Sequence, residues 1–397
     1  MTNRIHNELA AKCVATRLTS EGRGAVTVIA VEGFKATEFV GRHFASAAGK
    51  PLASFPLRRI IFGRWKRKHS EGEEIVVCRT DESSLEIHCH GGVAAARAIM
   101  ESLAADGVVE QGAETWANHH SSDLIQAEAW LALADARTER TAAILLDQYR
   151  GALRKALEAT IEDLVAGRTG AARDELATLY KRCDIGLHLT KPWRIAFGGP
   201  PNVGKSSLMN RLLGYQRSIV FDQPGTTRDL LSAPTALNGW FMELTDTAGL
   251  RNSEDAIEIE GVSRATSFLA EADLVVLVID TSQDWSEQQR QLASAYPEAL
   301  LVVNKCDLRD PVQVGGPFLA TSALTNEGVA ELMQAIVQRL VGIELSAGDA
   351  VPFTFRQREA IEAASRAVDQ GEAMLAIEEL RRIVASEPTA SYRTKPS

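Results

Sequence analysis

No apolar run in this sequence comes near the ~20 residues needed to cross a bilayer; stretches such as 274–279 (LVVLVI) and 300–303 (LLVV) are far shorter. Residues 1–15 are polar and mixed in charge, without the apolar centre of a secretory signal, so neither secretion nor membrane association is expected. Cysteine is scarce. The five present (Cys13, Cys78, Cys89, Cys183, Cys306) are odd in number and show no C-x-x-C spacing, which excludes a disulfide framework and a tetrahedral zinc site and fits a reducing cytoplasm. Basic excess is missing as well: 43 Lys and Arg stand against 52 Asp and Glu, a net charge of -9, the wrong sign for coating DNA or RNA non-specifically. Any RNA contact is therefore local. Internal repeats and low-complexity linkers are absent, and only the tail after Glu387 has a disordered composition.

What is present is ordinary globular usage, 45% hydrophobic and 24% charged over 397 residues, long enough for about two to four domains. Residues 25–33 (AVTVIAVEG) are β-branched and apolar, predicting a buried strand followed by a helix over 36–48. Residues 57–68 (LRRIIFGRWKRK) predict a strand and turn with six basic residues around Trp65. Two readings stand there: an edge strand protected by Lys and Arg, which is favoured, or an aromatic that stacks on a nucleic-acid base. A strand over 84–89 and a helix opened by Gly91-Gly92 complete a small α/β domain. Residues 123–166 are Ala-, Leu- and Glu-rich with helical periodicity, predicting two or three bundled helices, and 357–385 is a second helical stretch. Between them, residues 193–341 alternate short apolar strands with amphipathic segments, the pattern of a doubly wound parallel sheet. The simplest architecture is an α/β domain inserted into a helical one.

The inserted domain carries Gly199-Pro-Pro-Asn-Val-Gly204-Lys205-Ser206 between an expected strand (194–197) and an expected helix (207–213). This is G-x-x-x-x-G-K-[ST] in the strand–loop–helix setting that the motif needs. Backbone N–H groups from Gly199 through Asn202, Val203 and Gly204 to Ser207 wrap phosphates, and the helix N-terminus adds partial positive charge. Lys205 supplies a charge to the β- and γ-phosphates, and the Ser206 hydroxyl a ligand for Mg²⁺. Asp246-Thr-Ala-Gly249 follows an apolar segment, placing a carboxylate near the metal and a glycine N–H near the γ-phosphate. Asn304-Lys305-Cys306-Asp307 follows 300–303; the Asp307 carboxylate can accept both guanine N1–H and N2–H, a donor pair that adenine lacks. Ser322 and Ala323, after an expected strand over 318–321, complete the pocket with a backbone contact to the guanine oxygen. Four such elements in this order predict GTP binding.

These motifs resemble the TRAFAC GTPases of the TrmE-Era-EngA-septin group, and within it the TrmE (MnmE) type of tRNA-modification GTPase. Gly225-Thr226-Thr227-Arg228-Asp229 resembles that family's first switch, in which Thr227 would close on Mg²⁺ and the γ-phosphate. Asp246-Thr-Ala-Gly-Leu-Arg251 and residues 255–265 (DAIEIEGVSRA) are similar to it too, and Glu258 falls on the position that orients the attacking water; a solvated glutamate at a helix start is the plainer alternative. Asn202 matches the asparagine that, by the resemblance, holds K⁺ beside the phosphates in place of an arginine finger; a side chain that only stabilises the turn is the other reading. The resemblance further implies a homodimer whose facing G domains activate hydrolysis, and a flavoprotein partner and tRNA in wobble-uridine modification. It extends to residues 19–26 (TSEGRGAV), Gly33, 85–92 (LEIHCHGG), 123–129 (DLIQAEA) and 151–153 (GAL). The implied division is an N-terminal folate-binding-like domain over 1–112, the first segment of a helical domain over 113–189, a P-loop G domain over 190–342, and a truncated second segment of the helical domain over 343–397.

The departures concern formyl-tetrahydrofolate. The family holds it with a strand arginine, a glutamate before the H-G-G turn and two lysines. Glu86 stands at the glutamate position, but Ala30 and Ser121 replace a cation each, and the C-terminal C-[IV]-G-K motif is absent from a chain ending SYRTKPS. Lost charge-assisted hydrogen bonds of about 1.5–3 kcal/mol apiece predict a dismantled folate site. His88, Cys89 and His90 do not read as a metal site, since three consecutive strand residues cannot converge, and His119-His120 reads as surface. Two functions follow: a Mg²⁺- and K⁺-dependent GTPase of tRNA modification, or a diverged regulatory GTPase switch without the folate chemistry.

Overall fold

Valine and isoleucine dominate residues 26–32, and branched side chains suit a pleated, half-buried surface; they form strand β2 (Val26–Glu32). It belongs to a seven-stranded sheet with β1 (Val14–Arg17), β3 (Phe44–Ser46), β4 (Ile60–Arg67), β5 (Ser70–Arg79), β6 (Ser84–His90) and β7 (Val109–Glu110), ordered β3-β4-β5-β6-β2-β1-β7. Neighbours run antiparallel except β1 and β7. Inward residues Ile29, Val31, Ile61, Val77, Leu85 and Ile87 meet Val40 of helix Ala36–His43 and Ile99 and Leu103 of helix Val93–Ala105. Gly91 is required where β6 ends, because a Cβ there would stand 1.6 Å from the Gly24 carbonyl oxygen. This computed structural model describes residues 13–19, 24–67, 70–214, 232–246, 271–280, 287–309 and 317–385.

Two expectations change in this sheet. The helix expected over 36–48 stops at His43, because Phe44 is buried and residues 44–46 pair with 63–65 of β4 as a short edge strand. Gly63 permits the approach: a Cβ would lie 2.3 Å from the Ala45 carbonyl oxygen. Strand β4 is accordingly not the edge, and Trp65 is 0% exposed, stacked on His43 at 5.2 Å with its indole N–H 3.4 Å from Ser102 Oγ. No face of it is left for a base.

The chain divides between Asp135 and Ala136 into two units. The helical stretch expected over 123–166 comprises Leu124–Asp135, in the first unit, and Glu139–Tyr149 and Ala152–Val165 in the second; Thr169–Leu187 adds a further helix. Within the second unit, helix Phe355–Asp369 packs on Thr169–Leu187 and Ala373–Val384 on Ala152–Val165, so segments before and after the second sheet close into one bundle. Buried Gln148 ties the returning chain to it: its Nε2 donates to Asp349 O at 3.0 Å and its Oε1 accepts from Val351 N at 3.1 Å. At the other junction His188 stacks on Trp193 with ring centroids 3.6 Å apart. Burial would raise Asp273 beside it, but hydrogen bonds from His188 and the Arg194 N–H outweigh burial and hold its carboxyl below the usual range.

The second sheet holds β8 (Trp193–Gly198), β9 (Ser232–Leu237), β10 (Trp240–Asp246), β11 (Leu274–Asp280), β12 (Leu300–Asn304) and β13 (Leu319–Thr321), ordered β13-β12-β11-β8-β10-β9. Five strands are parallel, as expected; β9 is an antiparallel edge on β10 that the periodicity did not signal. Pro234 sits in it, where a missing N–H is tolerated. From β8 the chain first builds β9 and β10 on one side and then crosses to β11, β12 and β13 on the other. That reversal opens a crevice at the carboxyl ends of the strands, beside β8. Among the described residues no helix is long and apolar enough to cross a membrane.

Candidate functional site

The crevice beside β8 is filled by loop 199–204 and the start of helix Lys205–Gly214. The loop turns through left-handed backbone at Gly199 (φ 134°), Asn202 (φ 63°) and Gly204 (φ 95°). Gly199 also lies against β11, where a Cβ would be 2.2 Å from the Val278 carbonyl oxygen. Asparagine is among the few side chains that tolerate such backbone, so Asn202 serves the turn and still presents an exposed amide. Lys205 is buried, its Nζ donating to the carbonyl oxygens of Gly199 (2.9 Å) and Pro200 (2.7 Å), so the ammonium is held over the loop. The first-turn N–H groups of the helix, Ser206 and Ser207 among them, have no partner within the helix and suit an anion.

Asp246 ends β10 directly opposite Phe197 at the end of β8. Its Oδ2 accepts a hydrogen bond from Ser206 Oγ. A hydroxyl and a buried carboxylate in contact beside the phosphate loop offer the oxygen donors that a hard divalent cation takes.

On the far side, Asn304 ends β12 and is buried. Its Nδ2 donates to Val203 O (2.9 Å), and its Oδ1 accepts from Thr321 Oγ1 and from Ala323 N (both 3.2 Å). One amide thus ties the phosphate loop to the loop after β13. Lys305 adopts φ 66° and reaches back, with Nζ 2.9 Å from Asn202 O and 2.6 Å from Asp280 Oδ2. Buried Ser322 donates to Asp307 Oδ1 at 2.5 Å, which orients the carboxylate. Loop 199–204, Ser206, Asp246, Asn304, Lys305, Asp307, Ser322 and Ala323 therefore converge on one end of the sheet. Thr227, Gly249 and Glu258, with the segments 225–229 and 251–265, lie outside the described residues.

Two residues join the site that the motifs did not single out. Asp280 is the last residue of β11, and a carboxylate ending an apolar parallel strand was a readable signal. Arg211 donates from Nε to Ala323 O (2.7 Å) and from Nη2 to Leu324 O (3.3 Å). Nothing in the sequence distinguishes it from any solvated helix arginine.

In the first sheet, Glu86 lies directly across from Ala30, which is 4% exposed, and its Oε2 is 3.1 Å from His88 Nε2. His90 Nδ1 is 2.6 Å from Glu73 Oε1, whereas Cys89 points to the opposite, buried face, so the three consecutive residues do not converge. His120 stacks on Trp116 at 4.1 Å and its Nε2 lies 3.0 Å from Glu32 Oε1. Burial pushes the Cys183 thiol up to about 12 and Cys13 to about 11, so both are unreactive thiols.

Residues 194–305 match the family model described as "50S ribosome-binding GTPase". Over most of its length the chain is similar to proteins described as "tRNA modification GTPase MnmE". That of Thermus thermophilus is 33% identical, covering 92% of each chain. The Geobacillus thermodenitrificans protein is 31% identical over 85% of this chain and 83% of its own, and the Bacillus subtilis protein 29% identical over 85% and 84%.

Proposed function

Because this chain belongs to the MnmE family of tRNA modification GTPases, a GTP-binding and GTP-hydrolysing enzyme, we infer that its chemistry runs at the crevice beside β8 and serves tRNA modification. One arrangement carries the reading: Lys205, the Ser206–Asp246 pair and the Asn304–Asp307–Ser322 cluster meet at the carboxyl ends of β8, β10, β12 and β13. The backbone from Gly199 to Ser207 cradles the phosphates, and Lys205 exchanges its two loop carbonyls for β- and γ-phosphate oxygens. Ser206 and Thr227 would hold Mg²⁺, with Asp246 behind them. When bound there, Mg²⁺ would supply positive charge against the transferring phosphoryl oxygens. Asp307 accepts the guanine N1–H and N2–H, Lys305 lies along the base, and the loop at Ser322 and Ala323 meets the guanine O6. Gly249 offers an N–H to the γ-phosphate, and Glu258 orients the water.

Charge arising between the β- and γ-phosphates also needs a cation, and the Asn202 amide would hold K⁺ there once two G domains of a homodimer face each other. The test is GTP turnover in KCl against NaCl. Turnover is expected to fall about tenfold or more in NaCl. Asn202→Gly, which keeps the left-handed backbone accessible but removes the amide, should erase the difference between the salts while retaining GTP binding. Equal rates of the unaltered protein in both salts would remove the K⁺ mechanism.

In this reading the G domain would run over 190–342, between helical segments 113–189 and 343–397, after a folate-like domain over 1–112. Partners in the tRNA-modifying reading are tRNA and a flavoprotein, in the cytoplasm. A second reading, a regulatory switch without folate chemistry, is favoured by the site around Glu86. The position across from it holds the Ala30 methyl group, its carboxylate already engages His88, and Ser121 offers no charge. These residues do not fit the anionic tail and polar ring of formyl-tetrahydrofolate. No binding is expected in a calorimetric titration at micromolar ligand, and a micromolar affinity would return the chain to the full chemistry.

A further inference from the structure

We propose that Arg211 is a positioning residue for guanine recognition: from the helix behind the phosphate loop it locks the peptide between Ala323 and Leu324 so that this loop presents its N–H groups to the base oxygen. The inference rests on the guanine reading of the pocket. Asp307 fixes one edge of a base through side-chain oxygens, but O6 must be met by backbone N–H groups on the loop after β13, and a loop peptide can rotate. Asn304 restrains the loop from one side through Ala323 N (3.2 Å), and Ser322 N donates to Glu327 O at 2.9 Å. Neither sets the plane of the next peptide.

Arg211 does. Its Nε is 2.7 Å from Ala323 O and its Nη2 3.3 Å from Leu324 O, so one planar guanidinium grips two successive carbonyls. The peptide is planar and trans, so directing the Ala323 carbonyl toward Arg211 turns the Leu324 N–H the opposite way. The arginine grows from helix Lys205–Gly214, whose first residues form the phosphate site. The guanine loop is thereby indexed to the phosphate loop by a second link besides Asn304. A lysine could hold one carbonyl but not both, since only the guanidinium offers donors in a fixed fork.

The test compares three nucleotides on the full chain: GTP, ITP, which keeps O6 and N1–H but lacks the 2-amino group, and 2-aminopurine riboside triphosphate, which keeps the 2-amino group but lacks O6 and, with it, the N1 proton. Arg211→Ala is expected to weaken GTP and ITP by the same factor, about tenfold, and to leave the 2-aminopurine nucleotide unchanged, because the lost interaction concerns O6 alone. Arg211→Lys should recover part of the loss. Alanine is the best helix former at an exposed helical position, so the variant is expected to fold. Equal weakening of all three nucleotides, or of none, would overturn the proposal. If the unaltered protein failed to prefer GTP over the 2-aminopurine nucleotide, the guanine reading itself would fall, a result distinct from failure of Arg211.

Discussion

Exchanging Asp307 for asparagine is expected to convert the site from GTP to XTP. In the proposed guanine contact the carboxylate accepts two hydrogen bonds, and it is pre-aimed by the buried Ser322 hydroxyl 2.5 Å from Oδ1. An amide keeps one acceptor and presents one N–H₂ donor. Against guanine that donor meets another donor, so a charge-assisted pair is lost and polar groups are left unmatched, at about 1.5–3 kcal/mol each. Against xanthine the same N–H₂ finds the C2 carbonyl oxygen. Affinity for GTP should fall roughly a thousandfold, with XTP becoming the better ligand. Competition of both nucleotides for a fluorescent analogue measures the exchange, and an Asp307→Asn protein that still prefers GTP would show that another group reads the base.

The second large effect belongs to one methyl group. In Gly204→Ala the new Cβ would stand 2.3 Å from Asn304 Nδ2, at a residue whose φ is 95°. Left-handed backbone alone costs an L-residue about 1–2 kcal/mol. Moving Asn304 then breaks its bonds to Val203 O, Thr321 Oγ1 and Ala323 N together, in a buried position where each unpaired group costs about 1–3 kcal/mol. Phosphate and guanine recognition should fail together, with GTP affinity down a hundredfold or more and a lower unfolding midpoint. Gly214→Ala, at the end of the same helix with open space around it, is the control expected to bind normally. A Gly204→Ala protein that binds GTP with unaltered affinity would mean that Asn304 does not couple the two loops.

Much of this site was legible in the chain because each of its components is a short local pattern. Loop 199–204 needs left-handed residues at fixed offsets, and the sequence supplies glycine or asparagine there. Asp246 and Asn304 each close an apolar strand, where parallel α/β sheets put their ligands. Less legible were features that depend on what another segment does. The helix expected over 36–48 is cut at His43 because Phe44 finds a place beside β4, a choice made by Gly63 almost twenty residues later. Neither reading of the strand around Trp65 holds: the favoured edge strand is covered by β3, and the base-stacking alternative fails because Ile61, Gly63 and Trp65 share one face by simple alternation, and that face is the buried one. Here the period-two parity was present in the sequence and outweighed composition.

By itself, then, the sequence determined the order of the phosphate and guanine elements and the expectation of GTP as the nucleotide. Those are matters of residue type at fixed local spacing. Tertiary structure alone decided that the chain from Ser232 to Leu237 closes the sheet as an antiparallel edge, and that Gln148 anchors a segment about two hundred residues away. It also decided that Asp280 partners Lys305 and that Arg211 grips the guanine loop. A hydrogen bond between distant segments is set by how their elements pack, and neither partner carries a trace of it in its own neighbours along the chain.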